Sequence, residues 1–424
     1  MNDMPDRESP IVTELQTEVS RLQAEVSRLQ AEVSDLRSPS GGWRTPMIST
    51  VVTRWAIATL ALLTVWWFAQ NHIFVRDTNP KEVRPMGAVV ESTNGAVYRV
   101  WFGTNRRPTD AADSSKGFTS DVDEQTHFGH VDVNVPQTHR FGETGSNFFV
   151  RLLRRNLQDD HLSVNCIDFL EQAQMWSEIH DEMERAREAG DSAYGLIYLH
   201  GYNTSFPDAA IRAAQIGFDL KVTGATAFFS WPSLGITSAY TADEDAIQVS
   251  EAAIAGFITD FVKQSGAEKV HLIAHSMGNR GLLRALQRIA TDAESKGGVR
   301  FGQIFLAAPD VPRRLFLNLA NIYPQCSDRT TLYASNGDSA LYLSSLIHNA
   351  PRAGYFLPYT VAPGIDTIAV PFFNVDLLGH SYFASAEALL HDMHDLIQTN
   401  APTRSRQRMY PLRNGSESLW QLRR

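Results

Sequence analysis

The chain contains few cysteines and no excess of basic residues, and both shortages exclude classes of protein. Its 424 residues include 2 cysteines, Cys166 and Cys326. Two are too few for a disulfide-dense scaffold or for a zinc site built from cysteines, although one bridge between them stays open. The formal net charge of -9 excludes a nucleic-acid binder that works through bulk positive charge.

One stretch near the N-terminus lacks charge altogether. It reads WAIATLALLTVWWFA from Trp55 to Ala69. With weaker apolar flanks it spans 51–75, which reaches the roughly 20 residues that a helix needs to cross a bilayer. Trp66 and Trp67 at one end are typical of a membrane interface. We therefore expect a transmembrane helix over 51–75, with a buried core helix as the alternative.

Before this stretch the chain carries a seven-residue repeat over 11–37. Valine recurs every seven residues from Val12, and leucine does so from Leu15. A β-branched residue at position a with leucine at position d favours a parallel two-stranded coiled coil. The segment is thus predicted to form a homodimer, although a single amphipathic helix lying on its own domain is the alternative. We expect residues 1–10 to be a disordered N-terminus and residues 38–50 to be a linker.

From residue 88 to residue 400, short apolar runs alternate with amphipathic stretches. This alternation predicts a mostly parallel sheet with helices on both faces, which is an α/β fold. Residues 105–127 and 136–147 are polar and are predicted to be loops. Arginines dominate residues 401–424, which we expect to form a basic disordered tail. The predicted strands are Tyr98–Thr104, His130–Val135, Leu196–His200, Ala225–Ser230, Val270–Ala274, Gln303–Ala308, Thr330–Ala334 and Thr367–Val370. The predicted helices are Gln172–Ala189, Pro207–Leu220, Asp243–Lys263, Gly278–Ala290 and Ala384–Thr399.

The pentapeptide Ala274–Gly278, which reads AHSMG, lies between an apolar strand and an amphipathic helix. This is the setting of the G-x-S-x-G nucleophile turn, with Ala274 in place of the first glycine. A tight turn of strained backbone requires small residues two positions on either side of the serine. Ser276 is therefore the predicted nucleophile, and the N–H of Met277 is predicted to stabilise an oxyanion.

An earlier apolar strand ends in His200 and Gly201. A histidine–glycine pair at this strand end supplies a second oxyanion N–H, here from Tyr202. Gly201 lets the backbone approach, and Asn203 is expected to hold the loop through hydrogen bonds to backbone groups. We expect the backbone of His200 to matter more than its ring.

A triad needs an acid and then a histidine after the serine. Asp338 follows a predicted strand in the turn SNGD, and it is the favoured acid. Asp310, one strand earlier, is the alternative acid. His380 lies in a glycine-containing loop before the final helix and is the predicted general base.

The chain also resembles an uncharacterised bacterial α/β-hydrolase family grouped with esterases and lipases. The resemblance covers residues 97 to 398 and implies Ser276 as nucleophile, Asp338 as acid and His380 as base. The family has no settled activity, so the resemblance adds little about substrate. The motifs that carry it are YLHGYNTSFPDAAIRAAQIGFDL, AFFSWPSLG, HLIAHSMGNR, LAAPDV, YASNGDSAL and LGHSYF, with VWFGTNRRP and FGHVDVNVP nearer the N-terminus.

The remaining histidines are better explained by roles in the structure than by metal binding. His391 and His394 are three residues apart on the last helix, where a solvated face explains them better than a metal does. The same holds for His127 and His130, and no metal site is predicted. The candidate pocket residues are His200, Trp231 and His275, although Trp231 fits the core equally well.

These observations predict a membrane-anchored serine hydrolase that acts on carboxylic esters or lipid-like substrates and needs no cofactor. One alternative is an acyltransferase that passes the same acyl group to an alcohol or amine. Another is a non-catalytic coiled-coil membrane scaffold with a hydrolase-like binding domain. The expected location is a single-pass position in a bacterial inner membrane, with the N-terminus in the cytoplasm and the hydrolase domain in the periplasm.

Overall fold

A computed structural model describes most of the chain after residue 88. The described ranges are 89–92, 95–145, 160–236, 239–292, 299–335, 338–370, 383–414 and 417–423, all within the unit Glu82–Arg424. The predicted coiled coil over 11–37, the predicted membrane helix over 51–75 and His380 lie outside these ranges. Within them, no helix has the length and apolar character that a membrane crossing requires.

The strands within these ranges form one mixed sheet with a long parallel centre. Its order is β11-β12-β10-β9-β8-β7-β5-β6-β2-β3-β4, and β1 pairs with β2. Neighbours from β2 to β12 run parallel along this order, whereas β1, β3, β4 and β11 are antiparallel to their partners. The strands are β1 Val89–Ser92, β2 Gly95–Pro108, β3 Phe118–Pro136, β4 Ser163–Leu170, β5 Tyr194–Leu199, β6 Thr226–Ser230, β7 Lys269–His275, β8 Phe301–Ala307, β9 Ser327–Ala334, β10 Ile365–Ala369, β11 Met409–Asn414 and β12 Glu417–Leu422.

Helices cover both faces of this sheet, which confirms the predicted α/β class. Successive residues of one strand point to opposite faces, so Leu196 belongs to one apolar cluster and Ile197 to the other. Because both faces are buried, the central strands are continuous apolar runs. The helices are α1 Gln172–Glu188, α2 Phe206–Asp219, α3 Tyr240–Val249, α4 Glu251–Gln264, α5 Gly278–Thr291, α6 Arg313–Leu319, α7 Ile322–Cys326, α8 Ser339–Ile347 and α9 Phe383–Thr399.

The strand order reverses at β5, and this reversal locates a crevice. The chain passes from β5 to its neighbour β6, and then crosses back to β7 on the other side of β5. In open α/β sheets, ligands bind outside the carboxyl ends of the strands at such a switch point. The segment after β5 and the segment after β7 therefore meet at the expected binding position.

Two predicted elements differ from the structure for identifiable reasons. The helix predicted over 243–263 is two helices, because the hydroxyl of Ser250 donates to the Ala246 carbonyl at 2.7 Å and ends α3 there. The loop predicted over 105–127 is largely strand, since β2 and β3 pair along this stretch. A third element, the strand β4, is missing from the prediction.

The prediction of a disordered basic tail over 401–424 is corrected by the structure, because β11 and β12 place half of this segment in the sheet. The strand β12 adds in parallel to β10, and β11 pairs with β12. Leu419 and Leu422 are buried, and the buried Arg406 pairs with Asp392. Burial and one compensated charge therefore order a segment whose composition alone suggests disorder.

Both cysteines are free thiols, Cys166 on β4 and Cys326 at the end of α7. The bridge that the sequence left open is therefore not made.

The helix α1 buries a carboxyl group against the sheet. Glu182 is 3% exposed, and its Oε2 accepts a hydrogen bond from Trp101 Nε1 at 2.7 Å. Burial raises the pKa of Glu182 to about 7. The pKa of Glu182 is therefore higher in the folded state than in the unfolded state. Its contribution to the free energy of unfolding is complete at pH values below the unfolded-state pKa. This contribution is lost as the pH rises towards the folded-state pKa.

We expect the free energy of unfolding to fall by up to about 3 kcal/mol between pH 4.5 and pH 8 because of this group. Glu182→Gln should remove that part of the pH dependence, since a neutral amide still accepts from Trp101. Urea denaturation at several pH values measures it. Glu184→Gln, on the exposed side of the same helix, is the matched control. A wild-type slope in Glu182→Gln would contradict the assignment.

Candidate active site

Ser276 lies in a tight turn between the end of β7 and the start of α5. Its φ is 48°, a left-handed value that a non-glycine residue seldom adopts. The Ser276 N–H donates to the Ala307 carbonyl at 3.0 Å, which holds the turn against β8. Strained backbone of this kind persists only where surrounding contacts enforce it, and it is concentrated at functional sites.

Close backbone contacts explain why the turn has small neighbours. A Cβ atom at Gly278 would lie 2.5 Å from the carbonyl oxygen of His200. A Cβ atom at Gly201 would lie 3.1 Å from the Cβ of Ser276 and 2.9 Å from His275 Nδ1. A side chain at Gly278 would therefore push apart the loop after β5 and the turn after β7, whereas one at Gly201 would first displace the side chain of His275. The structure thus brings the predicted oxyanion loop against the predicted nucleophile.

Asn279, which the sequence analysis did not single out, holds this turn from inside. Its buried Nδ2 lies 2.9 Å from the Ala274 carbonyl, 3.2 Å from the Ser276 carbonyl and 3.3 Å from the Ala307 carbonyl. One amide therefore links the end of β7, the turn and the end of β8. A polar residue three positions after the serine on an otherwise apolar helix face was the signal available in the sequence.

His200 is fully buried at the end of β5. Its ring stacks on Trp231 with centroids 4.8 Å apart, and Trp231 Nε1 donates to the His200 carbonyl at 2.9 Å. Burial lowers the pKa of His200 to about 3, so the ring stays neutral near pH 7. The ring also makes two hydrogen bonds, with Nδ1 2.8 Å from the Gly201 carbonyl oxygen and Nε2 3.3 Å from Ser230 Oγ, so His200 contributes its ring as well as its backbone carbonyl.

The other two candidate pocket residues are also buried. Trp231 is 0% exposed and belongs to the apolar cluster on one face of the sheet. His275 directly precedes the nucleophile, and burial lowers its pKa to about 3. Neither imidazole next to the turn, His200 or His275, is therefore available for proton transfer near neutral pH.

A buried arginine supports the loop after β5. The side chain of Arg106, on β2, donates from Nη2 to the Thr204 carbonyl at 2.8 Å. It also donates from Nη1 to the Ser233 carbonyl and from Nε to Ser230 Oγ, both at 2.9 Å. Burial lowers the pKa of Arg106 to about 9. This residue ties β2 and the end of β6 to the loop.

A buried carboxylate holds the same loop from α3. Asp243 Oδ2 accepts from the Asn203 N–H at 3.0 Å and from Ser233 Oγ at 2.6 Å, and Oδ1 accepts from the Leu234 N–H at 2.8 Å. Asn203 itself has a left-handed φ of 55°. Asn203 is the residue expected from the sequence to hold this loop. The structure shows that Asp243 receives the hydrogen bond from the Asn203 backbone.

The favoured acid, Asp338, comes after β9 and begins α8. It is fully buried, and its Oδ1 accepts from the Leu341 N–H at 2.8 Å as an N-cap. The strands β7 and β9 are separated only by β8, so their carboxyl ends are about 10 Å apart. Ser276 and Asp338 thus lie at the same sheet edge, and His380 lies outside the described ranges.

The alternative acid, Asp310, is enclosed by hydrogen-bond donors. Its carboxylate accepts from the hydroxyls of Tyr240 and Ser344, and it lies within 3.4 Å of Arg280 and 3.3 Å of Arg352. Its backbone N–H donates to the Ser276 carbonyl at 3.1 Å. Asp310 therefore supports the nucleophile turn through its backbone and balances two arginines with its side chain.

Among the described residues, the group suited to hold a metal ion lies away from this site. It comprises His130, Asp132 and Cys166, on β3 and β4.

A match to one family model supports the fold assignment. The family model described as "Alpha/beta hydrolase of unknown function (DUF900)" matches residues 178–399, which is more than half of the chain. No curated protein matches the chain. Among solved structures, the chain is similar to an uncharacterised protein from Bacillus cereus ATCC 10987, with 14% sequence identity and a TM-score of 0.32. That similarity covers 52% of this chain and 70% of the other.

We expect Asn279→Leu to lower the free energy of unfolding by about 1–3 kcal/mol, because it removes an amide donor shared by three buried carbonyls. It should also reduce the reactivity of Ser276, because the turn loses its inner support. Urea denaturation and the rate of labelling by a serine-directed phosphonate measure the two effects. Gln287→Leu, on the partly exposed side of α5, is the control. Unchanged labelling of folded Asn279→Leu would contradict the positioning role.

Proposed function

The chain belongs to the family of alpha/beta hydrolases of unknown function, and from this premise we propose that it is a serine hydrolase of carboxylic esters. The observation that supports this proposal most directly is the geometry of Ser276. Its backbone has a left-handed φ, it lies in the turn between a strand and a helix, and Gly201 packs against its Cβ atom. Such a turn presents a hydroxyl at the carboxyl end of a sheet, which is what nucleophilic attack on a carbonyl requires.

In the proposed reaction, His380 removes the proton from Ser276 Oγ as the oxygen attacks the ester carbonyl. Asp338 holds the imidazole in the required tautomer and stabilises the imidazolium. The alcohol leaves with a proton from His380, and water then releases the acyl group by the same steps. Asp338 is preferred to Asp310 because the Asp310 carboxylate is already engaged by two hydroxyls and two arginines.

Two backbone N–H groups would bind the oxyanion in this proposal. Met277 precedes the first residue of α5, so its N–H belongs to the turn that opens a helix and points towards its N-terminal end. Tyr202 follows Gly201, which lies against Ser276. Fixed donors of this kind stabilise the charge that develops in the transition state.

Exposed apolar side chains next to the acid support an apolar, lipid-like acyl group. The helix α8 begins directly after Asp338, and its outward face is half exposed. A contiguous apolar surface of this kind marks a binding region in a folded protein. The residues concerned are Tyr342, Leu343, Leu346 and Ile347.

The proposal includes attachment to a membrane and pairing of chains. The uncharged stretch from Trp55 to Ala69 supports a single span, and the heptads over 11–37 support a parallel dimer. The hydrolase domain would then be held near a lipid surface, where lipid-like esters are concentrated.

A fluorophosphonate probe tests the nucleophile. We expect the wild-type chain to be labelled and Ser276→Ala to be unlabelled, because phosphonylation requires the activated hydroxyl. Fluorescence on a gel measures labelling, and circular dichroism confirms that the variant is folded. Ser345→Ala, on α8, is the control and should label normally. Equal labelling of the wild type and Ser276→Ala would contradict the proposal.

A pair of aspartate variants separates the two acids. Asn caps a helix about as well as Asp, so Asp338→Asn should keep α8 while lowering kcat for ester hydrolysis by a factor on the order of 10⁴. Asp310→Asn should instead destabilise the protein, because the buried Arg352 loses the carboxylate it pairs with, while Arg280 keeps Glu244. Folded molecules of this variant should retain activity. The reverse pattern would assign the acid role to Asp310.

Removal of residues 47–75 tests the anchor. The shortened chain should leave the membrane fraction on ultracentrifugation and should still be labelled at Ser276, because the hydrolase domain begins later in the chain. Removal of 11–37 is the control and should leave the chain in the membrane fraction. A shortened chain that stays with the membrane would contradict the assignment of 51–75.

A further inference from the structure

We propose that the hydrolase domain carries a structural zinc site on β3 and β4, formed by His130, Asp132, Cys166 and Asp168. The carrying observation is that the donor atoms of His130, Asp132 and Cys166 lie within 4.8 Å of one another on two paired strands, with Asp168 beside His130 and Cys166. These strands are about 19–24 Å from the nucleophile strand. This site is independent of the proposed ester hydrolysis.

Strand register brings the four side chains together. His130 pairs directly with Asp168, and Asp132 pairs with Cys166, across the antiparallel strands. Residues two apart on a strand point to the same face, so the two pairs stack into a square. Neither strand alone carries a recognisable metal motif, which is why the sequence analysis predicted no metal at His130.

The distances suit a tetrahedral ion after a small contraction. The donor atoms of His130, Asp132 and Cys166 all lie within 4.8 Å of one another. Asp168 Oδ2 lies 3.2 Å from His130 Nε2 and 3.5 Å from Cys166 Sγ. Tetrahedral zinc bonds place neighbouring donor atoms about 3.3–3.8 Å apart. Imidazole, thiolate and carboxylate are also the donors that zinc uses in proteins.

Neighbouring groups hold two of the ligands in place. Arg99 donates to both oxygens of Asp132, at 2.8 and 3.0 Å, and leaves further lone pairs on that carboxylate. The Trp101 ring packs edge-on against the His130 ring at 5.5 Å. Ligating carboxylates in metal sites are commonly oriented by such outer hydrogen bonds.

The imidazole of His130 is 7% exposed and would bind the ion through Nε2, the nitrogen that faces Asp168.

Charge at this face also favours a cation. Asp132, Asp168 and Glu178 lie near His130, and Arg99 is the nearby positive group. Zinc would displace the proton of the Cys166 thiol to solvent as the zinc–sulfur bond forms, with no change in oxidation state. The bound ion would then neutralise carboxylates that otherwise repel one another.

All four ligands come from the protein, so the site has the closed form of a structural site rather than the open form of a catalytic one. It would fasten the edge strand β4 to β3. Because β4 has no partner on its other side in the described sheet, this fastening protects the edge of the sheet.

Metal binding to the full-length chain tests the proposal. Metal-free protein should bind one Zn²⁺ per chain by calorimetry, and Co²⁺ in its place should give a thiolate charge-transfer absorption in the near ultraviolet. Cys166→Ser should abolish that absorption and weaken zinc binding by more than about 100-fold. Asp168→Asn should weaken binding while keeping the absorption. Cys326→Ser is the matched control and should behave as wild type.

The outcomes also separate this site from the proposed enzyme. Labelling of Ser276 by the fluorophosphonate should be the same in the wild type and in Cys166→Ser at a temperature where both are folded. Absence of stoichiometric zinc binding in folded wild-type protein would overturn the zinc site. So would a Co²⁺ absorption that survives Cys166→Ser or disappears in Cys326→Ser.

Discussion

The site depends on close contact between two backbones, those of the loop after β5 and the turn after β7. The contact requires glycine at 278, and it coincides with the left-handed conformation of Ser276. A Cβ atom at position 278 would separate the two segments, and with them the nucleophile from the proposed oxyanion donors. The position of this contact follows from the sheet, because the strand order reverses between β5 and its neighbours.

Buried polar groups maintain that contact at a free-energy cost which the rest of the fold offsets. Asn279 holds the turn, while Arg106 and Asp243 hold the loop from β2 and α3. Each of these groups is almost completely buried and each finds hydrogen-bond partners, as polar groups in a low-dielectric interior must. The buried ring of His200 stacks on Trp231 beside them. Rigidity around Ser276 is thus built from hydrogen bonds as well as from apolar packing.

Much of this arrangement was predictable from the sequence, because local pattern determines it. Apolar runs ending in His200–Gly201 and in Ala274–Gly278 predicted the two strands and the segments that follow them, and the family match confirmed the α/β-hydrolase class. Long-range pairing was not predictable. Arg106 acts on a loop about a hundred residues later, the tail after residue 401 is ordered only by adding to β10, and the proposed zinc ligands meet only through the register of β3 and β4. Register and burial depend on the whole sheet, and one segment does not reveal them.

The most direct test of the central claim is a crystal structure of the hydrolase after reaction with a phosphonate ester. The account predicts one adduct, on Ser276 Oγ, with the phosphonyl oxygen about 2.7–3.1 Å from the backbone nitrogens of Met277 and Tyr202. It also predicts that the imidazole of His380 contacts Ser276 Oγ. An adduct on another residue, or a phosphonyl oxygen directed away from both backbone nitrogens, would contradict it.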